Sequence, residues 1–263
     1  QTHPWLTDHQ LNGQPVLPLA VMIEAFLQSV PPRECTGIQL ENLRVRRPIV
    51  MKHADHLRLQ LAIDTDQRQL TLENGEPVTR PTVTARWSPK QIPTAHADRS
   101  ERLTPFPLTV SEAYEQVLFH GPRFQCISSI VGYSDRGIRV RAQSSPRQWR
   151  WWKELAAADR RTDPLVIDAG LQAIILWAWA ERGELSLPIG VGKFVAHVSP
   201  FPSGECEIDV VVTTTKAHLF HANVTISDAA GQLLAELSDC EFVATPDMAR
   251  AFGKMTPIAV GAR

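Results

Sequence analysis

Two polar residues set against apolar surroundings carry the chemical promise of this sequence. Asp168 lies in a run in which Leu165, Val166, Ile167, Leu171, Ile174, Ile175, Leu176, Trp177 and Trp179 cover nearly every face of a helix, so the helix is expected to be buried all round. A carboxylate buried without a partner is costly, and burial raises its pKa. Such a group stays protonated near neutral pH and can act as a proton donor. Gln172 follows four residues later on the same face, within reach to orient the carboxyl group. The competing reading is that Asp168 only hydrogen-bonds within the first helical turn. His9 sits in Asp8-His9-Gln10-Leu11-Asn12-Gly13-Gln14-Pro15-Val16-Leu17-Pro18, just ahead of a second apolar segment. Neutral imidazole is the common general base near neutral pH. Gly13 permits positive φ or close backbone approach. The helix start beyond it offers unpaired N–H groups and a positive dipole end, suited to polarising a carbonyl oxygen. A lone histidine at such a place is otherwise structural.

Two helices must position these groups. One spans about Pro18 to Val30 and stops at Pro31-Pro32, which cannot continue it. The other spans about Pro164 to Arg182, with Asp163 as N-cap, Pro164 in the first turn and Gly183 as its stop. Most of the remainder alternates apolar and polar residues: Leu57–Ile63, then Leu70 and Leu72, Val78–Trp87, Gly137–Gln143, Glu205–Thr215, Leu219–Ser227 and Gln232–Val243. Asp228-Ala229-Ala230-Gly231 reads as a hairpin turn. The polar, proline-bearing stretch Ser88–Pro107 reads as a linker. Each half thus holds one apolar helix and several antiparallel strands, an α+β double hot-dog arrangement: residues 1–97, residues 98–246, and a tail at 247–263.

The bulk numbers narrow the function. With 263 residues, 43% hydrophobic and 21% charged, the chain can bury a substantial core, and its net charge of −1 demands neither nucleic acid nor an anionic membrane as partner. Cys35, Cys126, Cys206 and Cys240 are scattered without zinc spacing and read as free thiols of a reducing cytosol. The chain begins without Met, which suggests an excised domain. The pairs His53/His56 and His218/His221 point to opposite strand faces and do not read as metal sites. The cluster Arg147-Gln148-Trp149-Arg150-Trp151-Trp152-Lys153 reads as a surface loop or as part of an acyl- or carrier-binding surface. Arg44, Arg46, Arg47 and Lys52 fit an acidic partner and solvated strand faces equally.

Taken in order, the motifs resemble the dehydratase domains of polyketide and polyunsaturated-fatty-acid-type synthases. His9, Gly13 and Pro18 match the HxxxGxxxxP motif, and Asp168 with Gln172 matches DxxxQ. His3-Pro4-Trp5-Leu6-Thr7-Asp8-His9 is similar to the HPWLxDH opening. His120-Gly121-Pro122-Arg123-Phe124-Gln125 is similar to the (Y/H)GPxFQ segment, and Leu187-Pro188-Ile189-Gly190-Val191-Gly192 to LPxxxG. These marks span about residues 3–243 in family order.

The resemblance implies a double hot-dog fold with one active site between its halves. The substrate would be a β-hydroxyacyl thioester on an acyl carrier protein. His9 would take the α-proton, a backbone N–H near Gly13 would stabilise the thioester oxygen, and protonated Asp168, oriented by Gln172, would donate to the departing hydroxyl. Gly13, Pro18, His120, Gly121 and Pro122 would line the substrate site. No metal or cofactor is implied beyond the carrier's phosphopantetheine. Neighbouring synthase domains and a second copy of the chain are the other implied partners. Many modular members have Tyr where this chain has His120, which either contacts the site or packs at its turn. Many also continue the first motif as PGTA, where this chain has Pro18-Leu19-Ala20-Val21. With Gln172, both traits are closer to the iterative, lipid-like synthases. The alternatives are a cyclase of product-template type or a thioester hydrolase on the same fold, and an acyl-binding module without catalysis.

Overall fold

The computed structural model describes residues 4–29, 38–50, 59–64, 69–74, 83–89, 102–146, 160–245 and 248–253. Two apolar helices are its axes. Helix α1 (Leu19–Ser29) buries every residue from Leu19 to Leu27 except Ala25, which is half-buried. Such all-round burial needs cover on every side. Helix α3 (Pro164–Arg182) is longer and buried from Pro164 to Trp179. The Asp163 side chain accepts from Leu165 N at 3.0 Å to cap it, and Gly183 ends it in the left-handed region at φ 64°. By length and composition α3 could span a bilayer, but here it is a core helix. At Gly170 a Cβ would come within 2.8 Å of Val224 Cγ1, so the missing side chain brings the helix axis close to the sheet.

The sheet is antiparallel throughout. The first half supplies β3 (Ile38–Val45), β4 (Leu59–Asp64), β5 (Gln69–Asn74) and β6 (Val83–Pro89). The second supplies β7 (Ile127–Ser134), β8 (Gly137–Gln143), β9 (Ser186–Ala196), β10 (Glu205–Lys216), β11 (Leu219–Asp228) and β12 (Leu233–Ala244). They run in the order β4-β5-β6-β3-β9-β12-β11-β10-β8-β7. The two hot-dog sheets are joined edge to edge: β3 pairs with β9 through Gln39↔Val195, Leu40↔Phe194 and Leu43↔Val191. A two-stranded ribbon, β1 (Gln10–Leu11) and β2 (Gln14–Pro15), precedes α1.

Both helices, the strands β4, β5, β8, β10, β11 and β12, and the hairpin turn fall where the sequence pattern places them, to within a few residues. In that turn the Asp228 carboxylate accepts from Ala230 N and Gln232 N at 2.9 and 2.8 Å. Strand β9 escapes the pattern because Pro188, Gly190 and Gly192 read as turn residues. Here the glycines serve close packing. A Cβ on Gly190 would lie 2.8 Å from Leu43 O across the β3–β9 seam, and one on Gly192 would lie 2.8 Å from Asp239 Cβ. The linker reading also yields at both ends. Ser88 and Pro89 belong to β6, and Thr104 exchanges two backbone hydrogen bonds with Tyr133, at 2.8 and 2.9 Å. Helix α2 (Val110–Gln116) follows, opened by a capping box between Thr109 and Glu112. The boundary expected near residue 97, the pair His53/His56, Cys35 and the Arg147–Lys153 cluster lie outside the described residues.

Candidate active site

The first motif is a ribbon folded back on itself. His9 leads into β1, Asn12 and Gly13 make the turn at φ 52° and 70°, and β2 returns the chain to Val16. Two positive φ angles in succession define a tight hairpin turn that favours Asn-Gly. Val16 N donates to His9 O at 3.0 Å, and His9 Nδ1 lies 2.8 Å from Val16 O. A carbonyl only accepts, so Nδ1 carries the ring proton and Nε2 keeps its lone pair. Burial disfavours the imidazolium and pushes the His9 pKa down to about 4. The ring is thus neutral with a fixed tautomer.

Gly13 sits in this turn. It occupies the ribbon tip, three residue pairs from the His9–Val16 closure, roughly 10 Å along the strands. Its glycine is required by the turn. The amides of Leu19 and Ala20, which head α1 behind Pro18, have no carbonyl one turn earlier in the helix.

The second half meets this ribbon through the His120 segment. His9 and His120 face each other across an antiparallel bridge, and Gly121 N donates to Asp8 O at 2.7 Å. A Cβ on Gly121 would stand 2.6 Å from Asp8 Oδ1 and 2.9 Å from its Cα, so only glycine allows the two chains this close. Pro122 opens a short 3-10 turn through Phe124. Asp8 Oδ2 then accepts from Arg123 N at 3.1 Å and from Arg123 Nη1 at 3.0 Å. The Asp8-His9 and His120-Gly121-Pro122-Arg123 segments, distant in sequence, are one interlocked unit.

Asp168 faces this unit from α3. The cap is Asp163, so Asp168 is free of that structural duty. Burial drives its pKa up to about 7, against the opposing hydrogen bond from Gln172. Asp168 Oδ2 accepts from Gln172 Nε2 at 2.8 Å and lies 3.3 Å from His120 Nε2. One ring nitrogen from each of His9 and His120 and one Asp168 oxygen lie within 4.8 Å of one another. The three together have the donor set of a transition-metal site. They also have what acid–base chemistry needs: a neutral base with an available lone pair opposite a carboxyl group that holds its proton.

Several contributors escape a reading of the sequence. The Tyr114 hydroxyl donates to Gln172 Oε1 at 2.9 Å. Phe119 stacks on His120 at 4.0 Å and meets His9 edge-on at 4.9 Å. Glu24 is fully buried on α1 and accepts from Arg161 N at 2.7 Å, Thr162 N at 2.8 Å and Thr162 Oγ1 at 2.6 Å. It ties α1 to the approach of α3, and so ties the half carrying His9 to the helix carrying Asp168. Only the capping box ahead of Tyr114 was there to be found in sequence; apart from the stack of the neighbours Phe119 and His120, the other contacts are long-range. The remaining polar candidates lie apart. His218 faces Glu184, His221 pairs with Asp239, and Arg44 pairs with Glu241 on the sheet.

Comparison with known proteins gives the family of the chain. A family model described as polyketide synthase dehydratase N-terminal domain matches residues 94–251, and one described as polyketide synthase dehydratase domain matches residues 1–74. The chain belongs to the polyketide synthase dehydratase family, whose reaction is that of a hydro-lyase. It is 21% identical over 214 residues to one subunit of the polyunsaturated fatty acid synthase from Thraustochytrium sp., covering 75% of this chain and 7% of that protein. It is 28% identical over 154 residues to the spectinabilin polyketide synthase system protein NorA of Streptomyces orinoci, covering 51% of this chain and 8% of the relative. The chain therefore corresponds to a small part of these long multidomain relatives. In fold it superposes on the dehydratase domain from the CurJ module of curacin polyketide synthase with a TM-score of 0.73 at 15% identity, covering 92% of this chain and 87% of the other. It also superposes on an enoyl-isomerase of a trans-acyltransferase polyketide synthase, with a TM-score of 0.68 at 14% identity, covering 91% and 95%.

Proposed function

We propose that this chain eliminates water from a β-hydroxyacyl thioester held on an acyl carrier protein, with His9 as base and Asp168 as acid. The observation that supports this most is the opposed pair itself: a neutral imidazole with Nδ1 tied to Val16 O, facing a carboxyl group that burial keeps protonated. His9 Nε2 takes the α-proton, and the electron pair left on Cα forms the Cα–Cβ double bond. The Cβ–O bond breaks as Asp168 gives its proton to the hydroxyl, which leaves as water. A backbone N–H near Gly13, or one heading α1, would stabilise charge on the thioester oxygen. The step ends with imidazolium beside carboxylate, so the buried site gains no net charge.

The spacing also supports a syn elimination. A base and an acid on opposite faces of the substrate would stand two hydrogen-bond lengths of about 3 Å each, plus the substrate, apart. One ring nitrogen of His9 and one Asp168 oxygen lie within 4.8 Å, short of that span. Both therefore reach the substrate from one side.

No step calls on a metal or a dissociable cofactor; the phosphopantetheine arm would arrive with the carrier. As further partners we propose the neighbouring domains of a synthase and a second copy of the chain. We assign the protein to the reducing cytosol, in keeping with the free, buried thiols of Cys126, Cys206 and Cys240.

The test is incubation with a β-hydroxyacyl carrier thioester, following loss of water by intact mass. Water loss is expected from the native chain, none from His9→Ala, and a severe slowing in Asp168→Asn, whose amide has no carboxylic proton to give. Turnover by folded His9→Ala would sink the base assignment. No water loss from the native chain across several acyl lengths would move the reading to a cyclase, a hydrolase or an acyl-binding module.

A further inference from the structure

Behind Asp168 runs a chain of hydrogen bonds in which each donor and acceptor is fixed. Phe124 O is a carbonyl and can only accept, and Gln172 Nε2 lies 2.9 Å from it. The Gln172 amide orientation follows: its NH2 serves Phe124 O and Asp168 Oδ2, and its oxygen faces Tyr114. The Tyr114 hydroxyl already accepts from Ile127 N at 3.1 Å, so its own proton is directed to Gln172 Oε1. Tyr114, Gln172 and Asp168 are all buried, which removes water as a substitute partner. Gln172 Nε2 and His120 Nε2 both approach Oδ2, and no donor to Oδ1 is found among the described residues.

We propose that Tyr114 is a positioning residue for the elimination: by holding Gln172 Oε1, it keeps the amide NH2 on Asp168 Oδ2 and leaves Oδ1 to carry the proton passed to the substrate hydroxyl. This rests on the acid role given to Asp168 above. Without the Tyr114 hydroxyl, Gln172 Oε1 is a buried acceptor with no donor. The amide then gains by rotating its oxygen towards Asp168, where it accepts the carboxylic proton. The proton is held by Gln172 instead of being presented to substrate, and the carboxylate loses its donor. Burial raises the Tyr114 pKa well above its ordinary value, so the phenol keeps the proton that the device needs. Among the described residues, the titratable groups facing Asp168 are His9, His120, Tyr114 and Cys126.

The test compares the native chain with Tyr114→Phe, Gln172→Ala and the double variant. Two readouts are taken: turnover of a β-hydroxyacyl carrier thioester, and titration of the Asp168 carboxyl by carbon-13 NMR, assigned with Asp168→Asn. In Tyr114→Phe the Asp168 midpoint should move to higher pH, and kcat should fall about tenfold with KM little changed. In the Gln172→Ala background, Tyr114→Phe should add nothing. An unmoved midpoint, or losses that multiply in the double variant, overturns the proposal. If the native chain does not dehydrate, the acid role fails, yet the titration still decides whether Tyr114 governs Asp168. Should Tyr114→Phe not fold, 3-fluorotyrosine at the chain's two tyrosines gives a second measure. The Tyr114 fluorine resonance should follow the Asp168 titration in the native chain and cease to do so in Gln172→Ala; a response that survives Gln172→Ala overturns the relay.

Discussion

His120 Nε2 lies 3.3 Å from Asp168 Oδ2, both side chains buried, while the His120 ring meets the His9 ring edge-on at a centroid distance of 5.3 Å. His120 is therefore within the site, touching the acid and flanking the base, and packing at its own turn does not exhaust its contacts. A hydrogen bond to an ionisable partner contributes about 1.5–3 kcal/mol, equivalent to roughly 10- to 100-fold in rate if the bond matures in the transition state. His120→Phe keeps the aromatic stack on Phe119 and removes both nitrogens. It should lower kcat within that range, by less than His9→Ala does, with the melting temperature little changed. Steady-state kinetics on a carrier-bound substrate decide the matter, and native kcat in His120→Phe would leave His120 with packing alone.

The opposed shifts of His9 and Asp168 give a pH signature in both rate and stability. Turnover needs neutral His9 and protonated Asp168, so the rate should be flat between about pH 4 and about pH 7 and fall on either side. For stability the signs are opposite. Folded Asp168 keeps its proton up to about pH 7, so its contribution is full below the ordinary carboxylate range and is lost as pH rises through about 7. Folded His9 refuses a proton down to about pH 4, so its contribution is full above the ordinary imidazole range and is lost as pH falls through about 4. Between these limits the two slopes nearly cancel in the native chain. Single variants should unmask them: stability should rise with pH in Asp168→Asn and fall with pH in His9→Ala, each with a slope approaching about 1.4 kcal/mol per pH unit. Urea unfolding at several pH values measures this; parallel curves for all three proteins would mean that the pair is not electrostatically buried.

How much of this was legible beforehand follows from the range of the interactions. Asp168 and Gln172 share one helix, so their spacing alone predicts the 2.8 Å bond between them. The helix that buries them is visible in its all-round apolar sequence. Gly13 was legible as a residue needing positive φ, but its part in a hairpin tip, away from His9, depends on the register set by Val16. Gly121 looks like any turn glycine until Asp8 is seen against it. Nothing in the sequence around Glu24 says what partner it meets. Its burial depends on the backbone amides of Arg161 and Thr162 arriving from the other half, and no local pattern carries that information. The β3–β9 seam is hidden for the same reason, since the glycines that permit it suppress the strand signal of β9.

The segment after β12, which reads as a tail, supplies the last structural layer over the histidines. Helix α4 (Met248–Ala251) and Phe252 fold back towards the site: Ala251 O accepts from Asn12 N at 2.8 Å, and the Phe252 ring lies 4.6 Å from Phe119. Phe252 is 6% exposed. Phe119 in turn contacts both His9 and His120, so Phe252 backs the wall that fixes their rings. Phe252→Ala removes this backing and opens space behind Phe119. The cost should be about 3–5 kcal/mol, a drop of roughly 6–20 °C in melting temperature for a chain of this size. At a temperature where the variant remains folded, kcat/KM should also fall, because the base and His120 lose their fixed orientation. Phe252→Leu, which refills most of the volume, should recover most of both losses. The decisive comparison is kinetic: if Phe252→Ala turns over like the native chain while melting lower, the segment is packing only, whereas recovery of kcat/KM by leucine assigns it to the active-site wall.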